Sequence, residues 1–401
     1  MKSQLNKKIV ERFSRQIVLK NIGILGQKKI LSSKVLIVGV GGLGSPVAEF
    51  LSRAGVGTIG IVDDDKVSLS NLHRQSLYNE SDIGQSKVKI AKEKIKRINH
   101  NTKVKVYKTR LNSTNFKKII NDFKVTHLFN FAALKHVRTE EDIYSVNYLI
   151  RTNLLTFFKN KKIYDNKKLK KIFFISTDKA ANPSSIMGCS KKIMENELYK
   201  LKTNFKKKFV STVRFANVTF SNGSILKNVR ERILNCEVFG IPDNVKRYFI
   251  THSEAADLCL ISLLKQSDGN IIVPSPTILN NQILIKDLVI KIHKILNKKY
   301  IFSTKLKKVK KNYQLIILQK KRIQGQKKEE HLFENNEKQE FFRGDSRILK
   351  IPFYKNNNYK NIIKELVLAK NLSKVKRILS KAFTQYSKFS SSKYIKLKNI
   401  I

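Results

Sequence analysis

The chain has 401 residues, and 81 lysines and arginines against 30 aspartates and glutamates give it a formal charge of +51. With 41% hydrophobic residues it can still bury a core, which excludes a disordered chain, and six prolines and sixteen glycines exclude a collagenous or low-complexity one. No apolar run reaches the roughly 20 residues that a membrane helix needs.

The N-terminal MKSQLNKKIVERFSRQ lacks the apolar core of a signal peptide, and Cys189, Cys236 and Cys259 are widely spaced. A cytoplasmic protein with free thiols and no metal site is expected. Lys, Asn and Ile recur throughout the chain, even where buried elements are expected, so compositional bias accounts for much of the charge. It predicts at most weak, non-specific contact with polyanions or a membrane surface.

In chain order, Lys34 to Val40 reads as a strand running into Gly39-Val40-Gly41-Gly42-Leu43-Gly44, with a helix from Pro46 to Ala54. The next strand, Thr58 to Val62, ends on Asp63-Asp64-Asp65, about twenty residues beyond the glycines. Strand, glycine turn, helix and acidic strand tip together make a nucleotide site: the backbone can approach a phosphate, helix amides face it, and a carboxylate can hold ribose. Further helices are expected near Lys87 to Ile98, Asn115 to Phe123, Val146 to Phe158 and Lys191 to Lys202. Strands are expected at Val104 to Tyr107, Thr126 to Phe131, Lys171 to Ser176 and Phe209 to Phe215. This alternation predicts an α/β fold with a Rossmann-like, doubly wound parallel sheet. From about Lys305 the chain reads as irregular and basic, with two helical stretches, Tyr359 to Ala369 and Leu372 to Phe383. Four parts are expected: a helical segment (1–32), a nucleotide-binding half (33–125), a half bearing catalytic motifs (126–300) and a smaller basic C-terminal region (301–401).

Two families are visible in the motifs. Arg12-Phe13-Ser14-Arg15-Gln16, the GVGGLGSP loop, Asp63 and Asp65, Ser70-Asn71-Leu72-His73-Arg74-Gln75 and Asp82-Ile83-Gly84 with Lys87 resemble the ThiF/MoeB-type adenylyltransferases over residues 8–123. That resemblance implies ATP with Mg as ligand and a small sulfur-carrier or ubiquitin-like protein as partner. Arg15, Asp63, Asp65, Asn71, Arg74, Gln75 and Lys87 would be the ATP-binding residues.

From residue 126 the motifs change. Phe131-Ala132-Ala133-Leu134-Lys135-His136-Val137, Thr152-Asn153, Ser176-Thr177-Asp178-Lys179, Met187-Gly188-Cys189-Ser190-Lys191, Val213-Arg214-Phe215 with Asn217, and Lys246-Arg247-Tyr248-Phe249 resemble the CapD-like nucleotide-sugar 4,6-dehydratases of the extended short-chain dehydrogenase type. This second resemblance implies NAD or NADP as cofactor, a UDP-N-acetylhexosamine as substrate, polysaccharide biosynthesis as the context, and a homo-oligomer. It assigns Thr177 to substrate orientation, Asp178 as the acid for the leaving water, Lys179 as the base at carbon 5, and Lys191 to the nicotinamide ribose. Met187 stands where most short-chain dehydrogenases keep a tyrosine. Gly39, Gly41, Gly42, Gly44, Asp63, Ala132 and Ala133 would join Lys191 around the cofactor, and Lys135, His136, Asn153, Asn217 and Arg247 would contact the substrate. The dehydratase is the leading expectation and the adenylyltransferase its alternative; a third is a catalytically silent hybrid.

Overall fold

The computed structural model describes residues 5–20, 22–132, 143–158, 166–221, 224–277, 279, 282–320, 326–354, 359 and 361–391. The fold is α/β, with a large, mostly parallel sheet of Rossmann character. Two compact bodies interleave along the chain: 1–132 with 155–175 and 201–211, and 133–154 with 176–200 and 212–401.

The first body is built on strands β1 (Lys34–Val38), β2 (Thr58–Val62), β3 (Lys103–Tyr107), β4 (His127–Asn130) and β5 (Lys171–Ile175). Val35, Leu36, Ile37 and Val38 are all buried, without alternation, as a strand covered on both faces requires. Each such side chain contributes about 1.5–3 kcal/mol relative to an exposed position. All pairings are parallel and give the order β3-β2-β1-β4-β5. The direction of strand addition reverses between β1 and β4, so a crevice opens at their carboxyl ends, where the glycine loop follows β1.

The change of motifs expected near residue 126 falls just before β4, and β4 pairs in register on both sides. Leu36, Ile37 and Val38 lie opposite Leu128, Phe129 and Asn130, which lie opposite Ile172, Phe173 and Phe174. The helix before it, Ser113–Phe123, buries Phe116, Ile119, Ile120 and Phe123 on one stripe. Asn112 caps its start by accepting from the Thr114 and Asn115 amides, and Lys124 ends it in the left-handed region at φ 52°.

In the second body, Phe239–Pro242, Tyr313–Gln319 and Lys299–Ser303 form a small parallel sheet. Ile241 and Ile316 from it pack with Val229, Ile233, Ile285 and Val289. Asn270–Pro274 pairs parallel to Thr212 and Val213 and antiparallel to Asp345–Pro352, which pairs in turn with Glu340–Phe342. The region after Lys305 is therefore not irregular: lysines flanking Tyr313–Gln319 mask an apolar run, and Lys350 on Asp345–Pro352 pairs with Glu340 at 3.0 Å. The two expected C-terminal helices form as Ile362–Val367 and Leu372–Ala382, the latter burying Val375, Ile378 and Leu379. The helix expected over Val146 to Phe158 is interrupted by a widened π-helical turn at Arg151–Leu155. Among the described residues no helix is long and apolar enough to cross a membrane.

Candidate functional site

In the first body the glycine loop leaves β1 through Gly39, at φ 85°, where a Cβ would stand 2.9 Å from the Ala132 amide nitrogen. Only glycine fits there without moving backbone. At Gly41 a Cβ would meet nothing closer than Gln75 Nε2 at 3.9 Å, so the loop presents open backbone on that side. Asp63 closes the loop from β2: Oδ2 accepts from the Val40 amide at 2.8 Å and Oδ1 from the Asp65 amide at 2.9 Å. Burial raises the Asp63 pKa, against the pull of these two bonds and of Lys87.

The other residues of the expected ATP set gather beside it. Lys87 is buried and its Nζ meets Asp65 Oδ2 at 2.7 Å. Arg74 donates to the Asn71 side chain, and to the Ser70 carbonyl at 2.9 Å. A Cβ on Gly42 would touch Arg74 Cδ at 3.3 Å. Gln75 is buried with no hydrogen-bond partner for Oε1 among the described residues. The carboxylates of Asp63, Asp64 and Asp65 lie within 4.8 Å of one another, a donor set that suits a hard cation. Arg15 is exposed on the short helix Ser14–Ile17. Sequence reasoning missed Tyr78, a buried phenol that donates to the Val40 carbonyl at 3.0 Å and whose pKa burial and Asp63 push upward. Nothing in its local sequence signals that contact, 38 residues away.

The second body gathers a different set. Thr177, after β5, donates to Asp178 Oδ1 at 2.7 Å, and Lys179 Nζ lies 3.1 Å from the same oxygen. Asp178 is 1% exposed, and its Oδ2 has no hydrogen-bond partner among the described residues. Burial opposes the charge on Lys179, but Asp178 and Glu330 outweigh it and its pKa is raised; the resting side chain is an ammonium. Beneath it, a Cβ on Gly188 would collide with the Lys179 carbonyl, so the helix Ile186–Asn204 can approach this closely only with glycine there. Met187 and Lys191 are buried on that helix, and Lys191 Nζ reaches Met194 sulfur at 3.9 Å. Asn153, in the π-helical turn, donates to Ser190 Oγ at 2.9 Å and keeps a buried Oδ1 without a partner among the described residues.

Arg247 bonds to the Lys246 and Lys327 carbonyls and pairs with Glu330 at 3.1 Å. Asn217 donates from both backbone and side chain to the Tyr248 carbonyl at 3.1 Å. Ala132 donates to the Val38 carbonyl. Ala133, Lys135 and His136 lie outside the described residues. Sequence reasoning also missed the carboxylates that surround Arg214. That residue is 0% exposed, and its guanidinium donates to both oxygens of Glu195 and both of Glu337 at 2.6–2.8 Å. Lys192 Nζ adds bonds to Glu337 at 2.9 Å and Glu334 at 3.0 Å.

Residues 13–130 match the model of the ThiF family. The adenylyltransferase and sulfurtransferase MOCS3 of Culex quinquefasciatus is 43% identical over 123 residues, 31% of this chain and 28% of that protein. The chain thus spans less than a third of that relative. Among solved structures, Pen from Bacillus thuringiensis superposes with a TM-score of 0.60 at 18% identity, over 82% of this chain and 89% of that one. A UDP-glucuronic acid 4-epimerase from Bacillus cereus, solved with UDP-4-deoxy-4-fluoro-glucuronic acid and NAD, gives 0.53 at 16% identity, over 74% and 89%. At such identities the likeness is one of fold. The N-terminal part is thus similar to the ThiF family, and the chain shares an α/β fold with Pen and the epimerase.

Proposed function

We propose that the protein is a nucleotide-dependent enzyme whose first body binds ATP with Mg and adenylates the terminal carboxylate of a small sulfur-carrier or ubiquitin-like protein. The gathering of Asp63, Asn71, Arg74, Gln75 and Lys87 around one open glycine loop supports this reading. Asp63 would accept from the ribose, Arg74 and Lys87 would neutralise phosphate charge, and the neighbouring Asp64 and Asp65 would take the cation. In this class of reaction a carboxylate oxygen bonds to the α-phosphorus while the bond to pyrophosphate breaks. The ThiF match favours this function over the dehydratase, the reverse of the order expected from sequence. Carrier-dependent exchange of labelled pyrophosphate into ATP is the expected result; no exchange, with NAD(H) bound more tightly than ATP in a calorimetric titration, would overturn it.

A second reading rests on the Thr177-Asp178-Lys179 cluster, in which Asp178 is buried and its two neighbours are half-buried: NAD(P)-dependent dehydration of a nucleotide sugar by a CapD-like second half. The cofactor would supply the oxidant and hydride carrier. Thr177 would orient the sugar, and with the Lys179 proton passed to Asp178, Asp178 would protonate the leaving hydroxyl while Lys179 takes the carbon 5 proton. Lys191, Asn153, Asn217 and Arg247 would hold cofactor and sugar. Asp178→Asn and Lys179→Ala should each lower formation of a 4-keto-6-deoxy sugar by ~100- to 10,000-fold while cofactor binding persists. Wild-type rates in both variants would reject the assignment.

A further inference from the structure

The expected active-site tripeptide has a neighbour that no motif announces. Glu330 lies 152 residues after Asp178 in sequence, yet its Oε1 is 3.8 Å from Lys179 Nζ. The lysine is thus flanked by two carboxylates, since Asp178 Oδ1 approaches it at 3.1 Å. Glu330 is 3% exposed and its Oε2 has no hydrogen-bond partner among the described residues, as is true of Asp178 Oδ2. Two unsatisfied carboxylate oxygens buried beside one ammonium are costly unless something fixes them there.

The segment carrying Glu330 is clipped in place. Its amide donates to Gln282 Oε1 and its carbonyl accepts from Gln282 Nε2, both at 3.1 Å. Lys246 donates its amide to the Lys328 carbonyl at 2.9 Å, and Lys327 Nζ reaches the Ala181 carbonyl at 2.5 Å. Arg247 holds the carboxylate itself through Nε at 3.1 Å.

We propose that Glu330 is a positioning residue of the Thr177-Asp178-Lys179 cluster, holding the Lys179 side chain as an ammonium between two carboxylates and so setting when that lysine can accept a proton. The inference rests on the second reading above for its catalytic meaning. The charged groups around the pair are Asp178, Arg247, Lys327 and His331. Although burial alone would raise the Glu330 pKa, Lys179, Arg247 and Lys327 hold it down at about 2, so it stays ionised wherever the enzyme is folded. For Lys179 the balance of Asp178 and Glu330 against burial and Arg247 favours the charged form. A lysine held this way is a poor base at rest and a strong one once its proton leaves.

The test reads Lys179 directly, without turnover. The full chain is treated with acetic anhydride at a series of pH values between about 7 and 11, and the extent of Lys179 acetylation is read by peptide mass spectrometry. In the wild type the midpoint should lie above the ordinary lysine value of about 10.4. In Glu330→Gln it should fall by about one pH unit, so acetylation near pH 9 rises about tenfold, and Glu330→Asp should restore most of the wild-type behaviour. A residue with only a structural role would leave the midpoint unmoved. A Glu330→Gln variant that folds normally by circular dichroism yet labels as the wild type does would overturn the proposal. If that variant fails to fold, a wild-type midpoint at or below about 10.4 overturns it alone, and a higher one supports it. Absence of 4-keto-6-deoxy product in the wild type would sink the dehydratase reading without altering the labelling result, so the two failures are distinguishable.

Discussion

The two bodies use the same ionic groups in opposite surroundings. Around the glycine loop, Asp65 is 58% exposed where it meets Lys87, and Arg110 is 62% exposed where it meets Asp64. Around Arg214, the side chains of Arg214 and Glu337 are fully buried, with Lys192 and Glu195 nearly so. Water screens the Arg110–Asp64 pair and the Asp65 end of the Lys87 pair, so these carboxylates can rearrange around an arriving phosphate at little cost, while Lys87 itself is buried. The second set has no solvent to fall back on, so each member needs its partners in place. Ion pairs at the loop therefore serve binding, while those around Arg214 fix the architecture that carries Glu195, Glu334 and Glu337.

The largest test of that contrast is Arg214→Ala. Removing the cation strands two buried carboxylates, and the loss should be about 3–5 kcal/mol in equilibrium denaturation. Arg110→Ala at the exposed pair should cost under about 1 kcal/mol. A comparable loss in both would erase the distinction. The buried network also predicts an acid limb. Burial by itself would raise the Glu337 pKa, but Arg214 and Lys192 hold it at about 2. A depressed carboxylate stabilises the fold above its unfolded value of about 4.3 and loses that contribution as pH falls through its folded value. Denaturation midpoints of the wild type should fall between about pH 4.3 and pH 2, a window in which Arg214→Ala should show a shallower slope.

Next in size is Gly39→Val. The added side chain meets the Ala132 amide at a backbone angle that L residues avoid, so the cost should be about 1–3 kcal/mol, with nucleotide binding lost as well. Gly84, also at positive φ, has open space around its Cβ position. Gly84→Ala should therefore show only the smaller conformational penalty, with binding retained. Thermal melts with and without ATP or NAD would read both quantities.

What the sequence revealed follows from how local each cause is. Strands β1, β2 and β5 are continuous apolar runs and could be read directly, as could Gly39 and Asp63, whose relation is set by one strand-turn-helix unit. Tyr313–Gln319 was hidden because the surrounding lysines match the chain's general bias. Glu330 and Glu337 were not legible as partners of Lys179 and Arg214, since separations of 151 and 123 residues leave no periodicity to follow. Arg214 was visible as part of a motif, but the two carboxylates that give it its role come from distant turns of the chain.

The smallest effect gives the sharpest version of the comparison, because it divides one ion pair into unequal halves. Lys87 is 4% exposed and Asp65 is 58% exposed, although they meet at 2.7 Å. Lys87→Met removes the buried charge and leaves an aspartate that water can solvate, so stability should change by less than about 1 kcal/mol. Asp65→Ala leaves the buried ammonium without its carboxylate, and about 1–3 kcal/mol should be lost, as for other buried groups deprived of a partner. Nucleotide binding should rank them the other way. If Lys87 contacts phosphate, Lys87→Met weakens ATP binding by about tenfold or more, the worth of one charge-assisted contact. Equal stability losses in the two variants would show that the lysine's burial does not govern the pair. Unchanged ATP affinity in Lys87→Met would remove that residue from the binding site.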